Sequence, residues 1–358
     1  MKRTVLPGLL LLGMAIAAFG SAQAQTPPTA QSPRPMLAHT MPIGGDMAKS
    51  IRFYGELLGL QAREGDPRAA LDWAVANDFL ADMYGVNGDY RGIHFLMPRS
   101  PFRLAGEEMQ IEPIEWKNPK GKPLVLRPQD AGATRIIFQT RDLDRLVGFL
   151  KRGAAKIVTT GGAPVAVAGP GGAGRAIVFD DGNNTFVELF QPDKLPEDAV
   201  RPAQYVPLIY AADTTITVTD IDRTAQFFRD VMGLEVKVDP SPQADAKRLQ
   251  VLGLRGGQYR EAAVRWPDKT PQLNLIQFTG ADQKAPAPPV SGPNASLIRI
   301  FVRDIGPVME KLKAFPDGTI MNVSGAPIER GPASWVIVRL PGSPVYLQLI
   351  GLANGRVG

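Results

Sequence analysis

The sequence predicts an α+β protein made of four βαβββ modules paired into two half-open barrels, preceded by an N-terminal signal peptide. Three observations predict it. Two long stretches repeat each other at a constant offset. Two further stretches form a second such pair. Every repeat begins with a strand that runs into an aspartate and then a helix. With 44% hydrophobic and 21% charged residues, the chain has ample apolar material for cores.

The N-terminal segment comes first. Lys2 and Arg3 precede an apolar run from Val5 to Phe19, and Ala22-Gln23-Ala24 supplies the small-x-small pattern of a cleavage site. Residues 1–24 therefore read as a signal peptide. The run is shorter than a spanning helix requires, so the expectation is a periplasmic or secreted protein with no stable membrane insertion after cleavage. Removing Lys2 and Arg3, with no acidic residue among residues 1–24, would lower the formal charge from +5 to +3. The chain has no cysteine, which excludes disulfides, thiol catalysis and a lipid-modified N-terminal Cys. The densest basic group, Lys117, Lys120 and Lys122, lies in a Pro/Gly loop and reads as solvated. No basic stripe carries interleaved aromatics, which argues against a nucleic acid partner.

The repeats follow. Gly45 to Tyr54, ending at Leu58-Gly59-Leu60, matches Thr219 to Phe228, ending at Met232-Gly233-Leu234. The offset is 174 throughout, relating Asp46 to Asp220, Phe53 to Phe227 and Gly59 to Gly233. In the second pair, Arg141 to Leu150 matches Arg303 to Leu312, and Phe186-Val187-Glu188-Leu189 matches Tyr346-Leu347-Gln348-Leu349. Each unit starts with a β-branched strand such as Thr134 to Phe138 or Thr215 to Val218. An Asp then caps a helix, where its carboxylate accepts free N–H groups and suits the helix dipole. Leu143, Leu146, Val147 and Leu150 show the apolar spacing of one helix face. Gly59, Gly153 and Gly233 fall where the helices should stop. Strands separated by turns such as Asp180-Asp181-Gly182-Asn183 and Pro341-Gly342-Ser343-Pro344 complete each unit. The expected domains are 34–192 and 205–352, each pairing its own two modules, with a polar, Pro-rich linker at 193–204.

The strand–Asp–helix–Phe53-Tyr54–Leu58-Gly59-Leu60 run, the Asp180-to-Asn183 turn and the Val187-Glu188-Leu189 last strand resemble the vicinal oxygen chelate superfamily, which includes glyoxalases, bleomycin-resistance proteins and extradiol dioxygenases. The resemblance covers nearly all of residues 36–352 and specifies the fold more than the reaction. It implies a metal ligand seven residues before the helix-starting Asp and another at the Glu of the last strand. Carried over residue by residue, this gives His39 and Glu112 in the first module and Arg135 and Glu188 in the second. The third and fourth modules hold Asp213, Asn274, Leu297 and Gln348 at the same positions, a poor ligand set. The implied metal ligands are His39, Glu112 and Glu188, with Glu112 and Glu188 also the candidate catalytic carboxylates. Arg135 and His94 are the candidate substrate-binding residues.

Arg135 departs from the pattern, because a guanidinium stays charged and cannot share a site with a divalent cation. Two readings follow. In the first, one divalent ion (Fe²⁺, Mn²⁺, Zn²⁺, Ni²⁺ or Mg²⁺) acts as a Lewis acid in a lyase or isomerase working on vicinal oxygens. In the second, no metal binds, and Arg135 replaces it in a protein that binds or sequesters a small oxygenated or anionic ligand. A scaffold for protein contacts is a third. The 2-His-1-carboxylate iron set is incomplete, which disfavours an extradiol dioxygenase. A small-molecule partner is expected, with oligomerisation open. The stretch Leu71 to Tyr90 reads either as a lid or as an amphipathic helix on the barrel wall.

Overall fold

The computed structural model describes residues 36–352 except 44, 64, 98–109, 200–207, 267–271 and 294, with the backbone alone at 36–39, 198 and 352. Residues 1–24, read as a signal peptide, lie outside the described residues. The first stretch of chain gives β1 (Met36–Ile43), α1 (Met47–Ser50, continued by a π-helical stretch Ile51–Leu57), α2 (Asp78–Tyr84), β2 (Asp89–Gly92), β3 (Gln110–Ile111) and β4 (Ile114–Trp116). The second gives β5 (Thr134–Thr140), α3 (Leu143–Arg152), β6 (Gly172–Asp180) and β7 (Thr185–Pro192). The third gives β8 (Ile209–Thr217), α4 (Ile221–Asp230), α5 (Ala246–Val251), β9 (Gln258–Arg265) and β10 (Leu273–Thr279). The fourth gives β11 (Ala295–Asp304), α6 (Ile305–Ala314), β12 (Ala333–Arg339) and β13 (Tyr346–Leu352). Further strands of two to five residues extend the sheets.

The aspartates cap their helices as expected. Asp46 accepts from Ala48 and Lys49 N–H, Asp142 from Arg145, Asp220 from Arg223 and Asp304 from Gly306. Gly59 and Gly233 take the left-handed conformation, at φ +73° and +67°. Gly153 serves another purpose. Its φ is negative, and a Cβ there would lie 2.5 Å from Leu57 Cδ2, so the glycine lets the helix ends of the first two stretches touch.

The strands form two sheets, with main orders β12-β13-β11-β1-β4-β2 and β9-β10-β8-β5-β7-β6. The pairing differs from expectation. β1 joins β11 in antiparallel register, with Met41 opposite Leu297 and His39 opposite Arg299. β5 joins β8, with Arg135 opposite Thr215. The first stretch thus pairs with the fourth and the second with the third, so 34–192 and 205–352 each contribute to both sheets. The reason is where the helices pack. Chain neighbours meet helix to helix and turn to helix, which leaves their first strands free to join strands from the other half. Asn183, in the turn before β7, accepts from Asp46 N–H and donates to Asp46 O and Ser50 Oγ. In the other half, Gly342 O accepts from Thr219 and Asp220 N–H, and Phe227 meets Phe315 edge-on at 5.5 Å.

One core lies between the helices and one face of each sheet, and includes Phe138, Phe179, Phe227 and Leu349. Separate clusters line the two concave faces. The halves meet across Thr40 and Thr214, whose hydroxyls lie 2.9 Å apart. These two residues are 174 positions apart, the repeat offset. Contact between equivalent residues marks a pseudo-two-fold axis.

Candidate functional site

Each concave face holds a last-strand glutamate, and each glutamate is bound by arginine. On the first sheet, Glu112 follows β3, and its N–H donates to Thr40 O. Its Oε2 lies 2.6 Å from Arg299 Nη1, and His94 Nε2 lies 3.4 Å from its Oε1. Arg299 Nε donates to Gln348 Oε1 at 2.5 Å, and Gln348 Nε2 reaches Tyr84 Oη at 3.4 Å. The side chains keep some access to solvent, 18% for His94 and 10% for Glu112 and Arg299. Burial drives the Tyr84 hydroxyl pKa well up, Arg299 opposes the shift, and Glu112 adds to it.

Aromatic groups surround this cluster. Trp116 packs against Tyr84 and Tyr90, and the Arg299 guanidinium lies 5.7 Å from the Trp335 ring centre. Helix α2 covers part of this face, with Phe79 edge-on to Trp335 at 5.4 Å and Met83 and Tyr84 buried. Of the two readings of Leu71 to Tyr90, the packed amphipathic helix describes these contacts. The result is a few convergent polar groups framed by aromatic side chains.

The second sheet is closed. Glu188 is fully buried between two guanidiniums, with Oε1 2.7 Å from Arg248 Nη1 and Oε2 3.1 Å from Arg135 Nε. Arg248 comes from the short helix α5, whose Leu249 and Val251 seal the cluster. Burial alone would raise the Glu188 carboxyl pKa, but Arg248 and Arg135 outweigh it and hold it below the usual range. Burial pulls the Arg135 pKa down to about 10 against the pull of Glu188, which leaves it charged at neutral pH. Asp213 lies along the same face, where its Oδ1 accepts from Gln272 N–H and burial raises its pKa.

The predicted set His39, Glu112 and Glu188 is therefore divided. His39 and Glu112 belong to the first sheet, Glu188 and Arg135 to the second. His39 faces Arg299 and Gln110 in backbone register, and its side chain lies outside the described residues. His94 stands beside Glu112. Among the described residues no group of three His, Cys, Asp or Glu side chains converges. The donor chemistry points the same way, since each glutamate is already neutralised by a guanidinium. A divalent ion about 5 Å from such a charge would be repelled by roughly 6–7 kcal/mol at an effective dielectric near ~20. The described donors do not fit a divalent cation.

Two site residues escape the sequence reading. Counting seven back from Asp304 gives Leu297, whereas the residue opposite His39 is Arg299. An arginine in the otherwise apolar run Leu297-Ile298-Arg299-Ile300-Phe301 is the signal that could have found it. Arg248 enters from outside the repeat pattern and leaves no such signal.

No protein-family model matches the chain, and no curated protein matches it. Solved structures do. Glyoxalase I from Zea mays aligns at 17% identity over 90% of this chain and 93% of its own, with a TM-score of 0.52. A variant of that enzyme aligns at 16% identity over 89% of this chain and 93% of its own, with a TM-score of 0.55. A presumed dioxygenase from Bacillus subtilis aligns at 12% identity over 90% of this chain and 86% of its own, with a TM-score of 0.54. With two sheets, aspartate-capped helices between them and a glutamate on each concave face, the chain has the fold of the vicinal oxygen chelate superfamily.

Proposed function

We propose that the concave face of the first sheet binds a small oxygenated, anionic molecule, with Arg299 in the place of a cation. The observation that carries this is the 2.6 Å pair between Arg299 and Glu112, inside a partly open aromatic cluster. The Arg299 fork meets Glu112 through Nη1 and Nη2 and Gln348 through Nε, and a ligand carboxylate or two neighbouring oxygens would take the place of Glu112 on it. Glu112 and His94 stand beside it as a base and an acid for proton transfer at a bound ligand, which keeps lyase or isomerase chemistry within reach of the same site. In this reading Glu188, fully buried, has a structural role. The N-terminal segment supports export of the chain, checked by the mass of the mature protein and by fractionation.

A second reading, a metal-dependent lyase or isomerase, draws on His94 at 3.4 Å from Glu112 and on His39 two positions before Met41 in β1. Elemental analysis of protein purified without chelator separates the two. The arginine reading expects no stoichiometric metal. It also expects ligand-induced thermal stabilisation, in a screen of hydroxy acids and dicarbonyls, that disappears in Arg299→Gln. One bound metal per chain, lost in His39→Ala, would sink the first reading and establish the second.

A further inference from the structure

The closed cluster on the second sheet sets two guanidiniums against one buried carboxylate and one partly exposed one. Arg135 and Arg248 share a single fully buried carboxylate, Glu188. Glu261 lies 3.9 Å from Arg248, with a side chain 38% exposed, so water screens much of its charge. Arg135 is the less well paired of the two guanidiniums. Its side chain is 7% exposed, and its Nη2 has no hydrogen-bond partner. Its Nε lies 3.1 Å from Glu188 Oε2 without hydrogen-bond alignment. Directly across the β5–β8 seam stands Thr215, 2% exposed, whose Oγ1 is also buried without a partner. Residues opposite each other on antiparallel strands point to the same face, with Cβ atoms about 5 Å apart. Two buried donors without partners thus stand opposite each other on neighbouring strands, a combination that is costly unless something accepts from both.

We infer that the second sheet holds a small monovalent anion, a halide or a carboxylate group, between the Arg135 guanidinium and the Thr215 hydroxyl. One small anion would accept from Nη2 and Oγ1 together. The apolar walls, including Ile137 and Val178, offer nothing to a second charge. This inference is independent of the ligand proposed for the first sheet.

The test uses the full chain. Thermal unfolding is followed during titration with sodium chloride, bromide and formate, each against sodium gluconate at equal ionic strength. A saturable rise of a few degrees in Tm is expected with the small anions and not with gluconate. Arg135→Gln should abolish the halide response, Thr215→Val should raise its half-saturating concentration by about tenfold, and Arg299→Gln should leave the chloride and bromide responses intact. If Arg135→Gln does not fold, Thr215→Val decides, together with an anomalous bromide peak between the two side chains. The order of affinity tells a halide site from a carboxylate site. No saturable response, or an equal response in wild type and Thr215→Val, would overturn the inference.

Discussion

On each sheet an arginine meets a glutamate. The consequences differ with burial. Removing Glu188 strands two buried guanidiniums, so Glu188→Ala should lose about 3–5 kcal/mol in urea unfolding. Arg248→Met keeps the Arg135–Glu188 pair and should lose clearly less. A larger loss from Arg248→Met would contradict the assignment of charge within the cluster. Because the folded Glu188 carboxyl has a depressed pKa, its stabilisation is present above the ordinary carboxylate range and fades as pH falls through it. Asp181 behaves oppositely. Burial raises its pKa to about 7, although it accepts from Asn183 and Thr185 N–H and from Tyr54 Oη. The unfolded chain loses that proton near the ordinary range and the folded chain near pH 7, so rising pH costs stability across this window. Asp181→Asn should remove that slope, so that unfolding at pH 5 and pH 8 shows the variant gaining on wild type at the higher pH. These roles were only partly legible in the sequence. The family pattern picks out His39 by counting back from Asp46, and Glu112 as the glutamate of the module's last strand. Arg299 could not be reached this way, since its importance depends on which strand lies opposite His39.

At the level of elements, the aspartate caps and helix faces were readable because each is a local matter of a few residues. The partners of the turns were not, since those contacts span more than 100 positions. Asn183 touches α1 through both its oxygen and its nitrogen, and so ties the turn of one stretch to the helix of the one before it. Asn183→Ala should cost about 1–3 kcal/mol and leave Asp46 N–H without its partner. The share of the loss that runs through Ser50 Oγ should be absent in Ser50→Ala, which a double-mutant cycle would measure. In the other half, Gly342 does the same work with backbone alone. Its φ is +73°, and a Cβ there would stand 2.6 Å from Asp220 O. Glycine is required at that turn on both counts.

For the whole molecule, the repeats revealed how many similar units to expect but not which would pair. A strand carries its own face pattern and not the identity of its neighbour, so outer-with-outer pairing was invisible in the sequence. It has a direct result. Cut within 193–204, neither half has a complete sheet, so the halves expressed separately should be unfolded or self-associated, and co-expressed they should elute as a one-to-one complex in gel filtration. Two stable, monomeric halves would contradict the topology. The same seam brings the ends of the fold together. Met36 and Ile350 both lie opposite Phe301, on either side of β11, and so stand two strand spacings apart, about 10 Å. A short loop could join them. A circular permutant opened in 193–204, beginning with β8 and ending with β7, should therefore fold to the same two sheets, and the order in which a gene encodes the two halves is arbitrary for this architecture.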